Sequence, residues 1–404
     1  GDKVMVWGPN GPEWAIAFFG IVAAGAVAVP VDLKSAPGHA ARIQASAGAR
    51  LAVKTRYRPA LDIDTILFEE MAALLGASPE LCQSHSAKPA DLAELVYTSG
   101  TTGDPKGVMI THANLLSNIE AVIRRIDVGE QDGFLSILPM SHTYEFTCGF
   151  ILPLITGSRI AYAGKSPTPA ILQKFCQHEK PLVIFAVPLV LEKIYKKRVL
   201  TQIEKSRLLT MLCRTTFGRR FIHRKIGRKL LHFFGGNLKL MGIGGAALNP
   251  EVENFLAEAK FPYLVGYGLT ESSPLLAGGP AGDTTITVGS TGKPLPGVKI
   301  RIADPAADTG IGEIRACGPN IMLGYYNDRE ATAEVLSPDG WLATGDLGFI
   351  DDAGNLHVCG RSKNVIVLPS GENVYPEAIE HKINSYNWVV EGLVLENNGR
   401  LEAW

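Results

Sequence analysis

One stretch of the sequence, residues 95–107, could close around a polyphosphate. Strand-forming Leu95, Val96 and Tyr97 give way to small residues that offer hydroxyl groups and backbone N–H donors, and a lysine follows. Glycines let a backbone approach its ligand closely, successive N–H groups form an anion-binding concavity, and a lysine adds a mobile charge. The residues expected to contact phosphate are Thr98, Ser99, Gly100, Thr101, Thr102, Gly103 and Lys106.

The spacing distinguishes this loop from the Walker A motif, in which a lysine directly follows a glycine. Here Asp104 and Pro105 separate Gly103 from Lys106. A surface turn would account for any four of these residues, but the whole string favours a functional loop. We therefore expect a phosphate-binding loop that is not the motif of a P-loop NTPase.

A second motif, GYGLTE, combines an aromatic ring with a hydroxyl group and a carboxylate. Tyr267 stands between Gly266 and Gly268 and could offer a flat surface to a purine. Thr270 and Glu271 suit a Mg²⁺–phosphate complex, because Mg²⁺ takes few protein oxygens together with phosphate oxygens. This motif therefore predicts the nucleotide and metal part of the same site.

A third motif, WLATGD, ends at Asp346. A carboxylate held in a tight turn can accept hydrogen bonds from both hydroxyls of a ribose, whereas an isolated Gly-Asp pair would indicate only a turn. In this order, YTSGTTGDPKG, GYGLTE and TGD resemble the motifs of the adenylate-forming, or AMP-binding, superfamily. That superfamily comprises acyl- and aryl-CoA synthetases, nonribosomal adenylation domains and beetle luciferases.

The resemblance covers nearly the whole chain and implies a role for each motif. The segments LPMSHTYEF, GGAAL and GRSKNVIVLPSGENVYPEAIE look most like those of long-chain fatty acyl-CoA synthetases, ahead of aryl-CoA ligases. By this resemblance Tyr267 stacks on adenine, Thr270 lies near the α-phosphate, and Asp346 binds the ribose. Thr98 and Glu271 hold Mg²⁺. The remaining nucleotide contacts implied are Gly245 and Ala246 in a Gly-Gly-Ala turn, Arg361 after the last long strand, and Lys363 at the hinge of a small C-terminal domain.

Some of these segments also permit other interpretations. Residues 242–247 match G-x-G-x-x-A, a dinucleotide-binding fingerprint, but no acidic residue ends the next strand at residues 262–265. His142 taken alone would be an ordinary structural histidine, whereas the resemblance implies that it lies at the mouth of a carboxylate pocket. The apolar residues 150–155 could line an acyl tunnel or pack in the core.

The activity implied by the resemblance is a two-step ligation of an acid to a thiol. A carboxylate attacks the α-phosphorus of ATP, giving an acyl-adenylate and pyrophosphate, and the thiol of coenzyme A then displaces AMP. The expected substrate is a medium- or long-chain fatty acid, used with ATP, Mg²⁺ and coenzyme A. The residues implied in catalysis are Lys106, His142, Thr270 and Glu271. Two alternatives stay open, an acyl-adenylate ligase that loads an acyl carrier protein and a non-catalytic nucleotide-binding domain.

The elements that must position these residues indicate an α/β protein. A chain of 404 residues is too long for one ordinary core. Up to about residue 90, short apolar strands alternate with helical stretches, which predicts a parallel sheet with helices on its faces. The uncharged run from Trp14 to Val31 is long enough to raise the question of a membrane span, but two glycines interrupt it. We interpret it as a buried helix followed by a buried strand.

The expected architecture is a large N-terminal AMP-binding domain of stacked α/β sheets at residues 1–360, with a small β-barrel-like subdomain at about 285–358. The beginning of a small α+β C-terminal domain follows at residues 361–404. Compared with the family, the expected large domain lacks its first part, and the small domain lacks a later lysine that contacts the carboxylate and the α-phosphate. The resemblance therefore implies that the chain as given adenylates slowly.

Composition limits the classes of partner. With a net charge of −1 the chain has no global basic field, so nucleic acid is not an expected partner. The six cysteines include no C-x-x-C pair, which argues against a zinc site or a disulfide scaffold and fits a cytoplasmic protein.

Residues 193–229 are the one segment with a strongly unbalanced charge, since thirteen Lys or Arg stand against a single acid, Glu204. Apolar residues are interleaved with the basic ones. Such a segment could lie on an anionic membrane, attract the phosphates of coenzyme A, or form a solvated basic face. The first of these would place the protein peripherally at the inner membrane face.

Overall fold

The computed structural model describes residues 1–77, 84–99, 105–164, 167–367, 373–384, 386, 389, 391–397 and 400–404. Short 3₁₀-helical turns lie at Phe68–Glu70, Thr270–Ser272 and Ser362–Asn364, and short π-helical turns lie at Glu145–Ile151 and Tyr195–Leu200. The strands and α-helices follow one another as β1 (Lys3–Trp7), α1 (Pro12–Ala23), β2 (Val27–Pro30), α2 (Pro37–Ala47), β3 (Leu51–Lys54), β4 (Asp64–Leu67), α3 (Met71–Ala77), β5 (Leu92–Ser99), β6 (Pro105–Thr111), α4 (His112–Ile123), β7 (Gly133–Ser136), α5 (Leu152–Ile155), β8 (Arg159–Tyr162), α6 (Pro169–Glu179), β9 (Val183–Ala186), α7 (Pro188–Ile194), α8 (Thr201–Glu204), α9 (Arg207–Cys213), α10 (Thr216–Phe233), β10 (Leu240–Ile243), α11 (Pro250–Ala259), β11 (Tyr263–Gly268), β12 (Leu275–Gly278), β13 (Lys299–Ala303), β14 (Gly312–Cys317), α12 (Arg329–Val335), β15 (Leu342–Ile350), β16 (Leu356–Arg361), β17 (Ile366–Val367), β18 (Asn373–Val374), α13 (Pro376–Asn384), β19 (Val394–Asn397) and β20 (Arg400–Ala403).

The first sheet has six strands in the order β4-β3-β1-β2-β5-β6. Strands β1 to β5 run parallel, and β6 folds back antiparallel to β5. Helix α1 buries Trp14, Ala17, Phe18 and Ile21, which are spaced at the helical period and so share one face. The predicted alternation of strand and helix is confirmed, and the run from Trp14 to Val31 forms α1 and β2.

The second sheet also has six strands, in the order β12-β11-β10-β9-β7-β8. Its strands are parallel except for β12, which pairs antiparallel with β11. Helices α10 and α11 pack closely, because a Cβ atom on Gly227 would lie only 2.7 Å from the Cβ of Ala259. Parallel strands of one sheet end at the same edge, so the loops that follow them are brought together.

Aromatic side chains join the two sheets in one core. Trp14 and Phe18 from α1 contact Phe146 and Phe150 from the turn Glu145–Ile151, with ring centroids 4.8 to 6.3 Å apart. Phe150 and Leu152 are fully buried. Of the two interpretations of residues 150–155, the structure therefore supports core packing for the buried members of this stretch.

A third, antiparallel sheet follows the second, in the order β13-β14-β15-β16. Two small hairpins, β17–β18 and β19–β20, and helix α13 complete the described chain. The predicted fold class is confirmed, since two α/β sheets, a β-rich part and a small part with both helix and strands follow in that order. Among the described residues, no helix combines the length and apolarity needed to cross a membrane.

Candidate active site

A cleft of about 930 Å³ lies at the carboxyl ends of the parallel strands of the second sheet. Leu138 and Pro139 follow β7, Val187 follows β9, and Gly244 follows β10, and all four line the cleft. Open α/β sheets place ligands in such a crevice, because the loops after neighbouring strands meet there. The fold therefore creates a ligand site at this edge.

Elements from the other two sheets close the cleft. Thr98 and Lys106 stand opposite each other on β5 and β6 of the first sheet, and both line it. Residues 342–345 and Arg361 come from β15 and β16 of the third sheet. The cleft is therefore the place where all three large sheets meet.

This cleft brings together most of the residues that the sequence singled out. Tyr267 and Asp346 are buried beside it, whereas Ala246 is exposed and is not one of its described lining residues. The predicted residues that line the cleft are Thr98, Lys106, His142, Gly245, Gly266, Gly268, Thr270, Glu271, Arg361 and Lys363. The side chain of Ser99 and the whole of Gly100, Thr101, Thr102 and Gly103 lie outside the described residues.

The two side chains buried beside the cleft, those of Tyr267 and Asp346, are hydrogen-bonded to each other. Asp346 lies within β15 and not in the predicted tight turn, because it pairs in the sheet with Arg361 of β16. The Nε of Arg361 lies 2.9 Å from Asp346 Oδ1. The hydroxyl of Tyr267 donates a hydrogen bond of 2.7 Å to Asp346 Oδ2. Burial raises the pKa of Asp346, while Tyr267 and Arg361 act in the opposite direction. Because a carboxylate has about four acceptor positions, Asp346 keeps the capacity to accept further hydrogen bonds.

A second linked group lines the same cleft. The hydroxyl of Tyr325 donates to Glu271 Oε1 at 2.8 Å, and the Nζ of Lys106 lies 5.2 Å from the centre of the Tyr325 ring. Burial is the largest cause of the raised pKa of Tyr325, and the neighbouring Glu271 adds to it, so this hydroxyl stays protonated and donates. The Tyr325 side chain therefore holds the Lys106 ammonium group and the Glu271 carboxylate at fixed places in the same cleft.

The oxygen donors of the cleft fit a hard divalent cation that is bound mostly through a ligand. No group of three or more His, Cys, Asp or Glu within the described part of the chain could hold a metal ion. Glu271 Oε2 makes no hydrogen bond to a described residue, and the Thr98 hydroxyl lies in the same cleft. One carboxylate and one hydroxyl suit Mg²⁺, which keeps several waters and binds substrate phosphates rather than an all-protein cage.

His142 has a carboxylate partner that the sequence analysis did not identify. Its Nε2 lies 3.0 Å from Asp32 Oδ2, and the hydrogen bond from His142 is the largest cause that lowers the pKa of Asp32. The loop that carries His142 is held by Asn10, whose side chain donates to Leu138 O at 2.6 Å and accepts from Met140 N at 2.9 Å. Two loops of the first sheet thus position the histidine.

An apolar cavity of about 50 Å³ lies behind the cleft. Tyr144 and Gly266 line both spaces, so the Tyr144 ring stands between them. A Cβ on Gly242 would lie 2.4 Å from the Phe185 ring, and one on Gly244 would lie 3.2 Å from the Tyr144 ring. Gly242 in β10 and Gly244 just after it therefore make room for aromatic rings, which accounts for these glycines without a dinucleotide.

Glu145, next to Tyr144, is a buried acid whose carboxyl oxygens have no close hydrogen-bond partner among the described residues, although the Ser136 side chain and the Leu138 backbone lie near enough to offset part of the rise in its pKa. Its carboxyl group packs against the backbone of Gly149, where a Cβ would lie 2.6 Å from it. Burial raises the pKa of Glu145 to about 8. The site therefore holds a neutral carboxylic acid at neutral pH, close to the predicted carboxylate pocket.

The sequence analysis missed three residues of the site, and the sequence gives some indication of two of them but not of the third. Asn10 and Asp32 are polar residues just after β1 and β2, the position at which parallel strands present side chains to a site. Tyr325 follows Gly324 in a segment with no motif, so its contact with Glu271 could not be predicted.

Comparison with known proteins identifies the family of the chain. The model of the family described as AMP-binding enzyme matches residues 1–326. A 3-[(3aS,4S,7aS)-7a-methyl-1,5-dioxo-octahydro-1H-inden-4-yl]propanoyl:CoA ligase of Rhodococcus jostii (strain RHA1) is 28% identical, over 98% of this chain and 76% of that protein. The peroxisomal long chain acyl-CoA synthetase 6 of Arabidopsis thaliana is 33% identical, over 73% of this chain. That match spans 44% of the plant protein, which is less than half of its length.

Solved structures share the fold. An ATP-bound RpMatB-BxBclM chimera superposes with a TM-score of 0.79 at 25% identity, over 98% of this chain and 75% of the other. The o-succinylbenzoate CoA synthetase of Bacillus subtilis, solved with an acyl-adenylate intermediate, gives a TM-score of 0.81 at 24% identity. It covers 100% of this chain, and 78% of the synthetase chain is matched.

Proposed function

Because the chain belongs to the AMP-binding enzyme family, we propose that it activates a carboxylic acid with ATP and transfers the acyl group to coenzyme A. One observation carries the proposal. Lys106, Glu271 and Arg361 line a single cleft, and the Tyr267–Asp346 pair lies beside it. These are the groups that a nucleotide and its triphosphate require, and they come from all three sheets.

In the first step, a carboxylate oxygen attacks the α-phosphorus of ATP, and the bond to pyrophosphate breaks. Two anions must approach each other, so the protein has to neutralise charge and align the reacting atoms. Lys106 faces this task from β6, and Glu271 is oriented for it by Tyr325. Mg²⁺ bound through Glu271 and the Thr98 hydroxyl would supply positive charge to the phosphates.

The adenosine part of ATP is assigned to the Tyr267 side of the cleft. Gly266 and Gly268 line the cleft on either side of Tyr267, and little side-chain bulk covers the backbone there. The unused acceptor positions of Asp346 suit the ribose hydroxyls, and its bonds to Tyr267 and Arg361 hold it in place. Buried polar groups that are hydrogen-bonded in this way are held in one arrangement, and this arrangement can select a matching ligand.

The acyl part of the substrate is assigned to the side of His142 and Tyr144. His142 is held by Asp32 at the cleft, and the apolar cavity lies directly behind the Tyr144 ring. We propose a medium- or long-chain fatty acid, supported by the relative named as a long chain acyl-CoA synthetase. The apolar cavity of about 50 Å³ has room for the first few methylene groups of such a chain. In the second step, the thiol of coenzyme A attacks the acyl carbonyl and AMP leaves.

The proposal is tested by ATP–pyrophosphate exchange and hydroxamate trapping with a panel of carboxylates, from acetate to palmitate and including ferulate. Exchange is expected with the longer fatty acids, and mass spectrometry should then detect the coenzyme A thioester. Lys106→Ala is expected to lower the exchange rate about 100-fold, whereas Lys88→Ala, at an exposed lysine outside the cleft, should leave it unchanged. Binding of ATP without exchange for any carboxylate would instead favour a non-catalytic nucleotide-binding domain.

A further inference from the structure

Helices α9 and α10 expose an unusual combination of apolar and basic side chains. Two residues, Arg214 and Thr215, join these helices, and Thr215 caps α10. We call the exposed residues of the two helices the α9–α10 surface. Its apolar members are Leu208, Met211, Leu212, Phe217 and Phe221, and its basic members are Arg207, Arg214, Arg220, Arg224, Lys225, Arg228 and Lys229.

The two faces of α10 are sharply different. The inner face buries Ile222, Ile226, Leu230 and Phe233 against the core. The outer face begins with Phe217 and Phe221 and then carries only basic side chains over the next two turns. Residues three and four apart lie on one face of a helix, so the aromatic and basic side chains form one continuous stripe.

The apolar members of this surface are largely exposed to water, which is unfavourable in free energy for apolar side chains. Their exposed fractions range from 42% for Leu212 to 85% for Phe217. Single exposed apolar residues are ordinary, but five within fourteen residues form a patch of the kind that marks an interaction surface. The free energy gained by covering two phenylalanines would be substantial.

The charge around this patch is not neutralised by the neighbouring helix. On α11, Glu258 pairs with Arg219 and His223, Glu251 pairs with Lys382, and Glu253 is buried and accepts hydrogen bonds from the Tyr263 hydroxyl and from Gly289 N. Among the described residues, none of these acids forms a salt bridge with a basic member of the α9–α10 surface. Within residues 193–229 the single acid is Glu204, which lies before α9. The outer face of α10 is therefore positively charged along its whole basic part, although the net charge of the chain is −1.

We propose that the α9–α10 surface docks on membranes that contain anionic phospholipids. Its apolar residues would enter the boundary between headgroups and acyl chains, as amphipathic helices do when they lie in the plane of a membrane. The basic residues of α10 would contact lipid phosphates, and several such charges add to membrane affinity near an anionic surface. Nucleic acid would match the charge but not the five exposed apolar side chains, which favours lipid. The inference does not depend on the proposed enzymatic function.

Vesicle co-sedimentation with the full chain tests the proposal. Vesicles of phosphatidylcholine alone are compared with vesicles that also contain about 30% phosphatidylglycerol, at about 50 and about 500 mM NaCl. The chain should sediment with the anionic vesicles at low salt, much less at high salt, and hardly at all with neutral vesicles. Equal binding to both kinds of vesicle, or no binding to either, would overturn the proposal.

Two chemically independent variants locate the contact. Removing the charges in R224Q/K225Q should weaken partitioning about 25-fold, at roughly fivefold for each charge. F217S/F221S should weaken it about tenfold or more. The matched controls are R50Q/K299Q, which removes two exposed charges elsewhere, and Y57S, at a tyrosine that is 85% exposed like Phe217. Equal losses in the controls would contradict the assignment.

A spectroscopic readout reports the contact directly. In F217W, the added tryptophan should be quenched by brominated lipids in anionic vesicles, whereas the added tryptophan of Y57W should not. Unchanged partitioning of R224Q/K225Q together with a higher KM for coenzyme A would assign the basic stripe to coenzyme A and overturn the membrane proposal.

Discussion

The hydroxyl of Tyr325 donates a hydrogen bond of 2.8 Å to Glu271 Oε1, and the ammonium group of Lys106 lies 5.2 Å from the centre of the same ring. One buried side chain therefore orients the carboxylate and contacts the lysine that we propose to face the phosphates. The isolated bridge between Val108 and Tyr325 and the bond from Tyr325 N to Thr332 Oγ1 fix the backbone of this tyrosine. Its ring is thus held from both the first sheet and the β-rich part.

We predict that Tyr325→Phe lowers kcat/KM for ATP about tenfold, while the KM for the carboxylate stays unchanged. The variant keeps the ring beside Lys106 but removes a hydrogen bond to a charged group, which is worth about 1.5–3 kcal/mol. ATP–pyrophosphate exchange at varied ATP concentration measures this loss. The neighbouring Tyr326→Phe is the matched control, because the Tyr326 ring lies under Lys3 and does not line the cleft. An equal loss in both variants would show that the effect is not due to Glu271.

We predict that Asp346→Asn removes the preference for ribose over deoxyribose. If Asp346 accepts a ribose hydroxyl, the parent chain should use ATP about tenfold better than 2′-deoxy-ATP, because a buried acceptor is left unpaired with the deoxy compound. The variant should use the two nucleotides nearly equally and should have a higher KM for ATP. Competition kinetics with both nucleotides measures the ratio.

The control for this prediction is Asp352→Asn. Asp352 is exposed in the loop between β15 and β16, on the same pair of strands as Asp346 and Arg361. Its substitution should leave the ratio of ATP to 2′-deoxy-ATP as in the parent chain. A parent chain that does not discriminate between the nucleotides would show that the ribose does not bind at Asp346.

We predict that Asp32 and His142 act as a coupled pair. A double-mutant cycle with Asp32→Asn and His142→Ala should give a coupling energy of about 0.5–3 kcal/mol in kcat/KM for the carboxylate. Each single variant should raise the KM for the carboxylate with little change in the KM for ATP. Asp62→Asn combined with His142→Ala is the control, because Asp62 is exposed and forms no hydrogen bond or ion pair with His142 in the described part of the chain, so its effect should be additive. Strict additivity of the Asp32 cycle would exclude the proposed positioning.

We predict that Glu145→Gln stabilises the protein increasingly as the pH rises. The folded chain keeps Glu145 protonated up to a pKa of about 8, whereas the unfolded side chain ionises near 4.5. Between these values only the unfolded state loses the proton, so the stability of the parent chain falls with rising pH. The neutral glutamine cannot contribute to this loss, and the difference in Tm between variant and parent should therefore grow between pH 5 and pH 8.

Thermal unfolding of both proteins across this pH range measures the effect. The other buried acids with raised pKa values, Glu94, Glu253 and Asp346, are present in both chains and cancel in the comparison. The exposed Glu120→Gln serves as control, and its Tm difference should not change with pH. A constant Tm difference for Glu145→Gln would mean that the carboxyl group finds a partner on folding.

Much of the fold was predictable because the spacing of apolar residues along the chain indicates which segments form helices and strands. The helical spacing of Trp14, Ala17, Phe18 and Ile21 matches the face that α1 buries, and Thr111 caps α4 as its side chain allows. The meeting of β5, β11 and β15 at one cleft was inferred from resemblance, since no local pattern states which strands become neighbours. The phosphate loop itself, residues 100–104, lies outside the described residues, so its contacts stay predictions.

The sequence by itself determined which chemical groups are available and on which local elements they stand. Glycine-flanked Tyr267, Glu271 three residues after Gly268, and Asp346 directly after Gly345 are local facts that the motifs state directly. Only the tertiary structure decided the partner of each group. Asp32 is 110 residues from His142, and Tyr325 is 54 residues from Glu271. Such pairs form only when the packing of the sheets brings distant segments together, because hydrogen bonds depend on distance in space and not on distance along the chain.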